Sequence, residues 1–169
     1  MEQKPKLTFG EINSKNLEQF KIITQRHYQF LIAISFIRGF SLIKTFLHQP
    51  HYRIFIMILQ IEDQDEVKTA YIMTFGVLDA YRRLGFGSQL LYELINRINS
   101  YKEIRRIYLH IWSNNDVGFQ FYLSHGFEKT KYMKNYYTNI EPPHCYILTK
   151  RLYPDEDPPI QYIEQDFQN

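Results

Sequence analysis

The run Tyr81-Arg82-Arg83-Leu84-Gly85-Phe86-Gly87-Ser88 constrains this chain more than any other stretch. It follows an apolar, strand-like segment and opens a helical stripe of Leu90, Leu91, Leu94, Ile95 and Ile98, so a strand, a tight turn and a helix come in that order. Gly85 and Gly87 lack a Cβ, which lets backbone N–H groups at the helix start close on a phosphate. The helix dipole, Arg82 and Arg83 add a favourable field. The pattern predicts a pyrophosphate cradle. It is not a Walker A loop, because no Gly-Lys-Ser/Thr follows. Nor is it a dinucleotide fingerprint, because the third glycine is absent and the arginines precede the turn. Taken alone, the string also suits an ordinary helix-start turn, and its surroundings must decide.

Those surroundings read as one α/β domain. Leu7–Ile12 suits a first strand, and Asn13 stands where a helix N-cap belongs, ahead of Leu17, Phe20 and Ile23. Residues 26–49 are apolar and basic without a clear period, with a helix as the leading reading. Tyr52–Ile61 reads as a strand, Asp63–Glu66 as its turn and Lys68–Leu78 as the returning strand. Beyond the helix after Gly85, Ile104–Trp112 alternates as a strand. Asn114 or Asn115 then caps a helix that carries Val117, Phe121 and Tyr122 and stops at Gly126. Strands near Phe127–Tyr137 and His144–Leu152 finish the fold, and the Pro-rich Pro154–Pro159 marks its end. The order β-α-α-β-β-α-β-α-β-β predicts a mixed, mostly antiparallel sheet with helices on both faces. The expected organisation is one domain over residues 1–153 and an acidic, flexible tail over 154–169.

Composition narrows the setting. With 169 residues, 44% of them hydrophobic, the chain suits one compact domain. Its longest apolar runs fall far short of the ~20 residues that cross a bilayer, so no membrane contact is expected. The start Met-Glu-Gln-Lys-Pro-Lys lacks the apolar region of a signal peptide, and the lone Cys145 forms no internal disulfide. A reducing setting, cytoplasmic or nuclear, is expected. The net charge of +2 does not argue for nucleic acid, and no base recognition is expected. Charge is uneven, however. Between Glu18 and Glu62 there is no acidic residue while Lys21, Arg26, Arg38, Lys44 and Arg53 lie inside the window; after Arg151 come Asp155, Glu156, Asp157, Glu164 and Asp166 with no Lys or Arg.

A second motif, Asn115-x-x-Gly118-x-x-Phe121-Tyr122-x-x-x-Gly126-Phe127, follows one strand after the first. Together the two resemble the GNAT superfamily, in which Arg/Gln-x-x-Gly-x-Gly/Ala grips the CoA pyrophosphate and the Asn…Phe-Tyr…Gly-Phe helix lines the cofactor's other side. Within it, Tyr71-Ile72-Met73-Thr74, Tyr81–Gly87, Ile107-Tyr108-Leu109-His110 and Lys134-Asn135-Tyr136-Tyr137 are similar to the NatE-type N-α-acetyltransferases, over roughly residues 7–152. The resemblance implies the GNAT fold, acetyl-CoA as co-substrate and no metal. It implies that Phe75, Val77, Arg82, Arg83, Gly85, Phe86, Gly87, Ser88, Asn115 and Tyr122 hold the cofactor and that Tyr71 and His110 form the catalytic pair. Tyr28, Met73, Tyr136 and Tyr137 would meet the peptide. The implied substrate is a protein amino terminus, typically Met followed by an apolar residue, with peptidyl-lysine secondary. Implied partners are nascent chains, the NatA acetyltransferase complex and the ribosome near the nascent-chain exit.

The strand period is compatible with the pair: Tyr71, Met73 and Phe75 share one strand face, and Tyr108, His110 and Trp112 share another. On spacing alone the favoured reading of His110 is a satisfied core histidine and that of Tyr71 an ordinary aromatic strand residue. The chemistry gives a reason to want both. An α-amine has a pKa near ~8, so roughly a tenth is a free nucleophile at neutral pH, against under a thousandth for lysine near ~10.4. A neutral His, directly or through a water held by the Tyr hydroxyl, removes the remaining proton. His144, the only sequence neighbour of Cys145 able to act as a base, is expected on the opposite strand face, which argues against a covalent acetyl-enzyme. One departure concerns specificity: where the family has Phe-Pro-Val-x-Tyr, this chain has Tyr28-Gln29-Phe30-Leu31-Ile32. Gly118 also stands where the family usually has Ala. Alternatives on the same scaffold are a peptidyl-lysine or small-amine acetyltransferase and an inactive adaptor.

Overall fold

A computed structural model describes residues 55–64, 67–77 and 82–166. The expected strand Leu7–Ile12, the helix after Asn13, the segment 26–49 and Tyr28 lie outside the described residues. In chain order the elements are β1 (Phe55–Gln64), β2 (Val67–Val77), α1 (Phe86–Asn99), β3 (Ile104–Trp112), α2 (Asp116–Ser124), β4 (Glu128–Lys134), β5 (Cys145–Arg151) and β6 (Ile163–Asp166). Among the described residues, 55–60 and those within Thr74–Gly87 belong to one compact unit, and those within Ile61–Met73 and 88–166 to another.

The described strands form a six-stranded sheet in the order β1-β2-β3-β5-β4-β6. β2 and β3 run parallel, β3 and β5 antiparallel, and β4 and β5 antiparallel. β3 explains the sheet's polarity. Ile107, Leu109 and Ile111 are all buried, at 0%, 3% and 4% exposure, and alternate with Tyr108, His110 and Trp112 on the other face. The apolar stripe of α1, namely Leu90, Leu91, Leu94 and Ile98, is buried as its helical period requires.

The two ends of α2 are written into the sequence. Asn115 Oδ1 accepts from Gly118 N–H at 3.0 Å, which satisfies one orphan donor of the first turn. Gly126 takes φ +77°, its N–H donates to Leu123 O at 3.0 Å, and Phe127 N–H donates to Tyr122 O at 3.1 Å. That pair of bonds is a Schellman motif, and its left-handed residue is why Gly stands there. Lys150 Nζ adds a third tie by donating to His125 O at 3.0 Å.

Three expectations are corrected. β4 ends at Lys134 instead of reaching Tyr137, because Asn135 adopts φ 58°, a left-handed turn that leaves the strand. Tyr136 and Tyr137 therefore sit on the β4–β5 loop. Likewise β1 covers Phe55–Gln64, so Asp63 and Gln64 belong to the strand and not to the turn. The third correction concerns the acidic end. β6 pairs parallel with β4, setting Ile163 beside Lys131 and Asp166 beside Lys134. Upstream, Arg105 Nη2 contacts Glu156 at 2.8 Å and Asp157 at 3.1 Å, its guanidinium lies 4.6 Å from the Tyr153 ring centre, and Arg151 Nη1 donates to Asp157 O at 2.9 Å. Carboxylates that repel one another in a free tail here meet Arg105 of β3, and Arg151 of β5 holds the backbone carbonyl of Asp157, so the segment through Asp166 is tied to the fold. Among the described residues, no helix is long and apolar enough to cross a membrane.

Candidate active site

The parallel register sets Tyr71 of β2 beside Tyr108 of β3. Their rings stack, with centres 4.6 Å apart and planes 11° from parallel. Two residues on, His110 projects from the same face of β3, and its Nδ1 lies 3.1 Å from the Tyr71 hydroxyl. The two residues singled out as a pair, 39 positions apart in sequence, thus share a hydrogen bond. If the hydroxyl donates, the imidazole proton sits on Nε2; with Nδ1 protonated, the hydroxyl accepts and Nε2 carries the lone pair.

The loop after β4 closes over this pair. The Tyr136 ring stacks on the His110 ring at 4.8 Å and 12°, and Tyr137 meets Tyr136 edge-on at 4.9 Å. Burial raises the pKa of both phenols, with the neighbouring Cys145 a further cause, so both remain neutral hydroxyls at physiological pH. Among the bonds that fix the loop, Trp112 Nε1–H donates to Pro142 O at 2.7 Å, Tyr137 N–H to Pro143 O at 2.8 Å and Ser113 N–H to His144 O at 3.0 Å. Sequence reasoning missed Trp112 as a loop anchor, although an indole N–H near a site that must be shaped by polar contacts was the available signal.

Cys145 also belongs to this neighbourhood. The β3–β5 register sets it opposite Trp112 and sets Ile147 opposite His110, so Cys145 shares their face. In sequence its one neighbour able to act as a base is His144, whereas the cross-strand placement near His110 arises only from the fold. The outcome is the same, because Cys145 is fully buried and burial pushes its thiol up to about 12, with the charge of Lys131 acting in the opposite direction. A thiol so held offers almost no thiolate for acyl transfer.

In the other unit, β2 continues through Phe75 to Val77, and the turn expected to hold pyrophosphate follows. Arg82 Nε donates to Val77 O at 2.8 Å, which ties that guanidinium to the strand end. Arg83 at φ 62° and Gly85 at φ 83° both adopt the left-handed conformation, and Phe86 begins α1. Among the described residues, nothing lies within 4 Å of a Cβ built on Gly85. Exposed Arg83 and the backbone N–H groups that open the first turn of the helix, Gly87 among them, fit an anionic diphosphate. Two residues assigned to the cofactor have packing roles instead of simple exposure. Asn115 caps α2, and Tyr122 is buried edge-on to Phe121 and Phe127. Gly118 follows from that cap, since a Cβ there would stand 2.7 Å from Asn115 Nδ2. Met73 lies on β2 two residues beyond Tyr71 and is half-buried. Among the described residues no group of His, Cys, Asp and Glu could hold a metal ion.

Residues 48–127 match the family model of the acetyltransferase (GNAT) family. N-alpha-acetyltransferase 50 of Danio rerio is 28% identical over 165 residues, covering 96% of this chain and 98% of that one. Naa50 of Arabidopsis thaliana, solved in complex with the bisubstrate analogue CoA-Ac-MVNAL, superposes with a TM-score of 0.66 at 29% identity, covering 85% of this chain and 97% of that one. NAA60 of Arabidopsis thaliana in complex with acetyl-CoA shares the fold, with a TM-score of 0.72 at 17% identity over 86% of this chain and 99% of that one. The chain therefore carries a GNAT acetyltransferase domain in the GNAT fold, and within that superfamily it is similar to the NatE-type N-α-acetyltransferases.

Proposed function

We propose that this protein is an acetyl-CoA-dependent N-α-acetyltransferase acting on protein amino termini, with Tyr71 and His110 as its proton-transfer pair. The observation that carries the reading is the 3.1 Å bond between His110 Nδ1 and the Tyr71 hydroxyl beneath the stacked Tyr136 ring. Its likeness over nearly the whole chain to an N-α-acetyltransferase supports it, as does a solved relative holding a CoA–peptide analogue.

In this reading Arg82, Arg83 and the amides of Gly85–Ser88 hold the pyrophosphate of acetyl-CoA, with Phe75, Val77, Asn115 and Tyr122 along the rest of the cofactor. Met73, Tyr136 and Tyr137 receive an extended peptide through its backbone, and Tyr28 contributes an aromatic wall. The amine nitrogen attacks the acetyl carbonyl carbon, the new C–N bond forms and the C–S bond breaks. The proton lost by nitrogen passes to His110, directly or through a water held at Tyr71, and then to the departing thiolate. Direct attack is favoured over an acyl-cysteine because Cys145 is buried with its thiol held protonated.

The substrates in this reading begin with Met, with broader tolerance at the second residue than the family pattern implies, since the rigid proline is missing from Tyr28–Ile32. One methylene-sized contact in an apolar pocket is worth only ~1–3 kcal/mol, which keeps discrimination among Met-starting peptides within roughly 200-fold. The basic window Lys21–Arg53 and the likeness to NatE-type enzymes support work on nascent chains in the cytoplasm, beside the NatA complex at the ribosome. Mass spectrometry of a Met-Leu peptide incubated with protein and acetyl-CoA tests the proposal: one acetyl group on the α-nitrogen is expected. No transfer by the wild type, or equal transfer by His110→Phe, would overturn it.

A further inference from the structure

The loop that carries Tyr136 and Tyr137 needs a fixed base if its rings are to hold their place over His110, and the ladder between β4 and β5 does not supply it. The last pair in that ladder is Met133 with Cys145. Continuing the register would set Asn135 opposite Pro143, but Pro143 O already accepts from Tyr137 N–H at 2.8 Å. Asn135 has also turned out of the strand at φ 58°. Its N–H is therefore without the backbone acceptor that a continued strand would have provided. A side chain takes that place: Asn135 N–H donates to His144 Nδ1 at 3.1 Å.

We infer that His144 is a positioning residue for the peptide-binding loop, its imidazole nitrogen standing in for the missing strand acceptor and so holding Tyr136 over His110. This rests on reading the site as one that receives a peptide amino terminus. Accepting at Nδ1 requires a neutral ring with its proton on Nε2. The backbone of His144 completes the arrangement, because its carbonyl accepts from Ser113 N–H at 3.0 Å, the residue just beyond β3. One residue thereby joins both ends of the loop to the strand that bears His110. Tyr136, the next residue after Asn135, is where a change in this bond first registers. The His144 ring also lies 5.7 Å from the Tyr132 ring, edge-on at 65°, so packing is the competing account of its presence.

Two substitutions separate the accounts. His144→Asn keeps an acceptor at the same position along the side chain, as Oδ1, while giving up the ring. His144→Phe keeps a ring for Tyr132 and removes the acceptor. Peptide KM, kcat and acetyl-CoA Kd are measured for each, together with amide hydrogen exchange at Asn135 and Tyr137 by NMR. Loss of a single neutral hydrogen bond predicts that His144→Phe raises peptide KM and Asn135 exchange by about 3- to 10-fold, with kcat within about threefold and acetyl-CoA Kd unchanged. His144→Asn should lie near wild type in every readout. Wild-type KM and exchange in His144→Phe would overturn the inference, and so would equal impairment of His144→Asn, which would trace the effect to ring packing. Should the wild type acetylate no peptide, the reading of the site fails, while the exchange rates still decide whether the bond exists.

Discussion

Removing the Tyr71 hydroxyl is the cleanest perturbation of the proposed proton path. In Tyr71→Phe the ring remains, and with it the 4.6 Å stack on Tyr108 and the edge contact with His110 at 5.3 Å. What goes is the 3.1 Å bond to His110 Nδ1. A neutral hydrogen bond at a half-buried site contributes about 0.5–1.5 kcal/mol, so the variant should melt no more than about 6 °C below wild type. The catalytic effect is larger. Positioned acid–base catalysis is worth about 10²–10⁴ in rate, or about 2.7–5.5 kcal/mol of barrier, and Tyr71→Phe should lose at least the lower figure in kcat. The assay follows free CoA with a thiol-reactive dye at saturating substrates, and calorimetry checks that acetyl-CoA affinity is unchanged. A pH series adds a signature. Raising pH from 7 to 9.5 increases the neutral fraction of an α-amine with pKa near ~8 by about tenfold, so kcat/KM of the variant should recover by up to that factor. A kcat within threefold of wild type in both Tyr71→Phe and His110→Phe would refute the reasoning and return the two residues to a packing role.

Further outcomes follow from the turns and the thiol. Gly85→Ala adds a Cβ at the turn and forces φ +83° on an L side chain; isothermal titration should show acetyl-CoA binding weakened roughly tenfold. Gly118→Ala drives a Cβ to within 2.7 Å of Asn115 Nδ2, displacing the cap of α2, and chemical denaturation should register a loss of about 0.5–2 kcal/mol. Because burial holds the Cys145 thiol up near about 12, native-state alkylation at pH 8.5 should run about 10³-fold below that of an exposed cysteine. The same shift means that the folded state keeps a proton the unfolded state loses. Stability should therefore fall as pH rises from the ordinary thiol value of 9.0 towards about 12, and Cys145→Ala should flatten that part of the curve.

Local chemistry made much of the described part of the fold legible. Asn115 and Gly126 announce the ends of α2 because capping and the left-handed stop are decided within a few residues. The period-2 pattern of Ile107, Leu109 and Ile111 gives β3 its buried face directly. The places where sequence reading failed depend on partners distant in the chain. The acidic segment after Pro154 looks like a solvated tail until Arg105 and Arg151 are brought beside it, and β6 is too short and polar to declare itself. Tyr136 and Tyr137 read as strand residues because nothing in their own pattern reveals the turn at Asn135. At the site, the pairing of Tyr71 and His110 was implied by the motif match and compatible with strand period. The stacking of Tyr136 on His110 required the loop, whose anchors Trp112 and His144 lie outside every motif.

The central claim is that the nucleophile is a free protein α-amine, and one competition tests it most directly. A Met-Leu peptide containing an internal lysine is offered with its amino terminus free, and beside it the same peptide with its terminus blocked, each with acetyl-CoA. The kcat/KM for each is then measured at pH 7. The lower pKa of the α-amine alone makes its neutral fraction about 10²-fold larger than that of lysine. A site with one modest base beneath a loop that grips peptide backbone should preserve or enlarge that ratio. The account predicts that the free terminus is acetylated at least 10²-fold more efficiently than the lysine. A blocked peptide acetylated as well as the free one would contradict it and make the protein a lysine acetyltransferase built on the same scaffold.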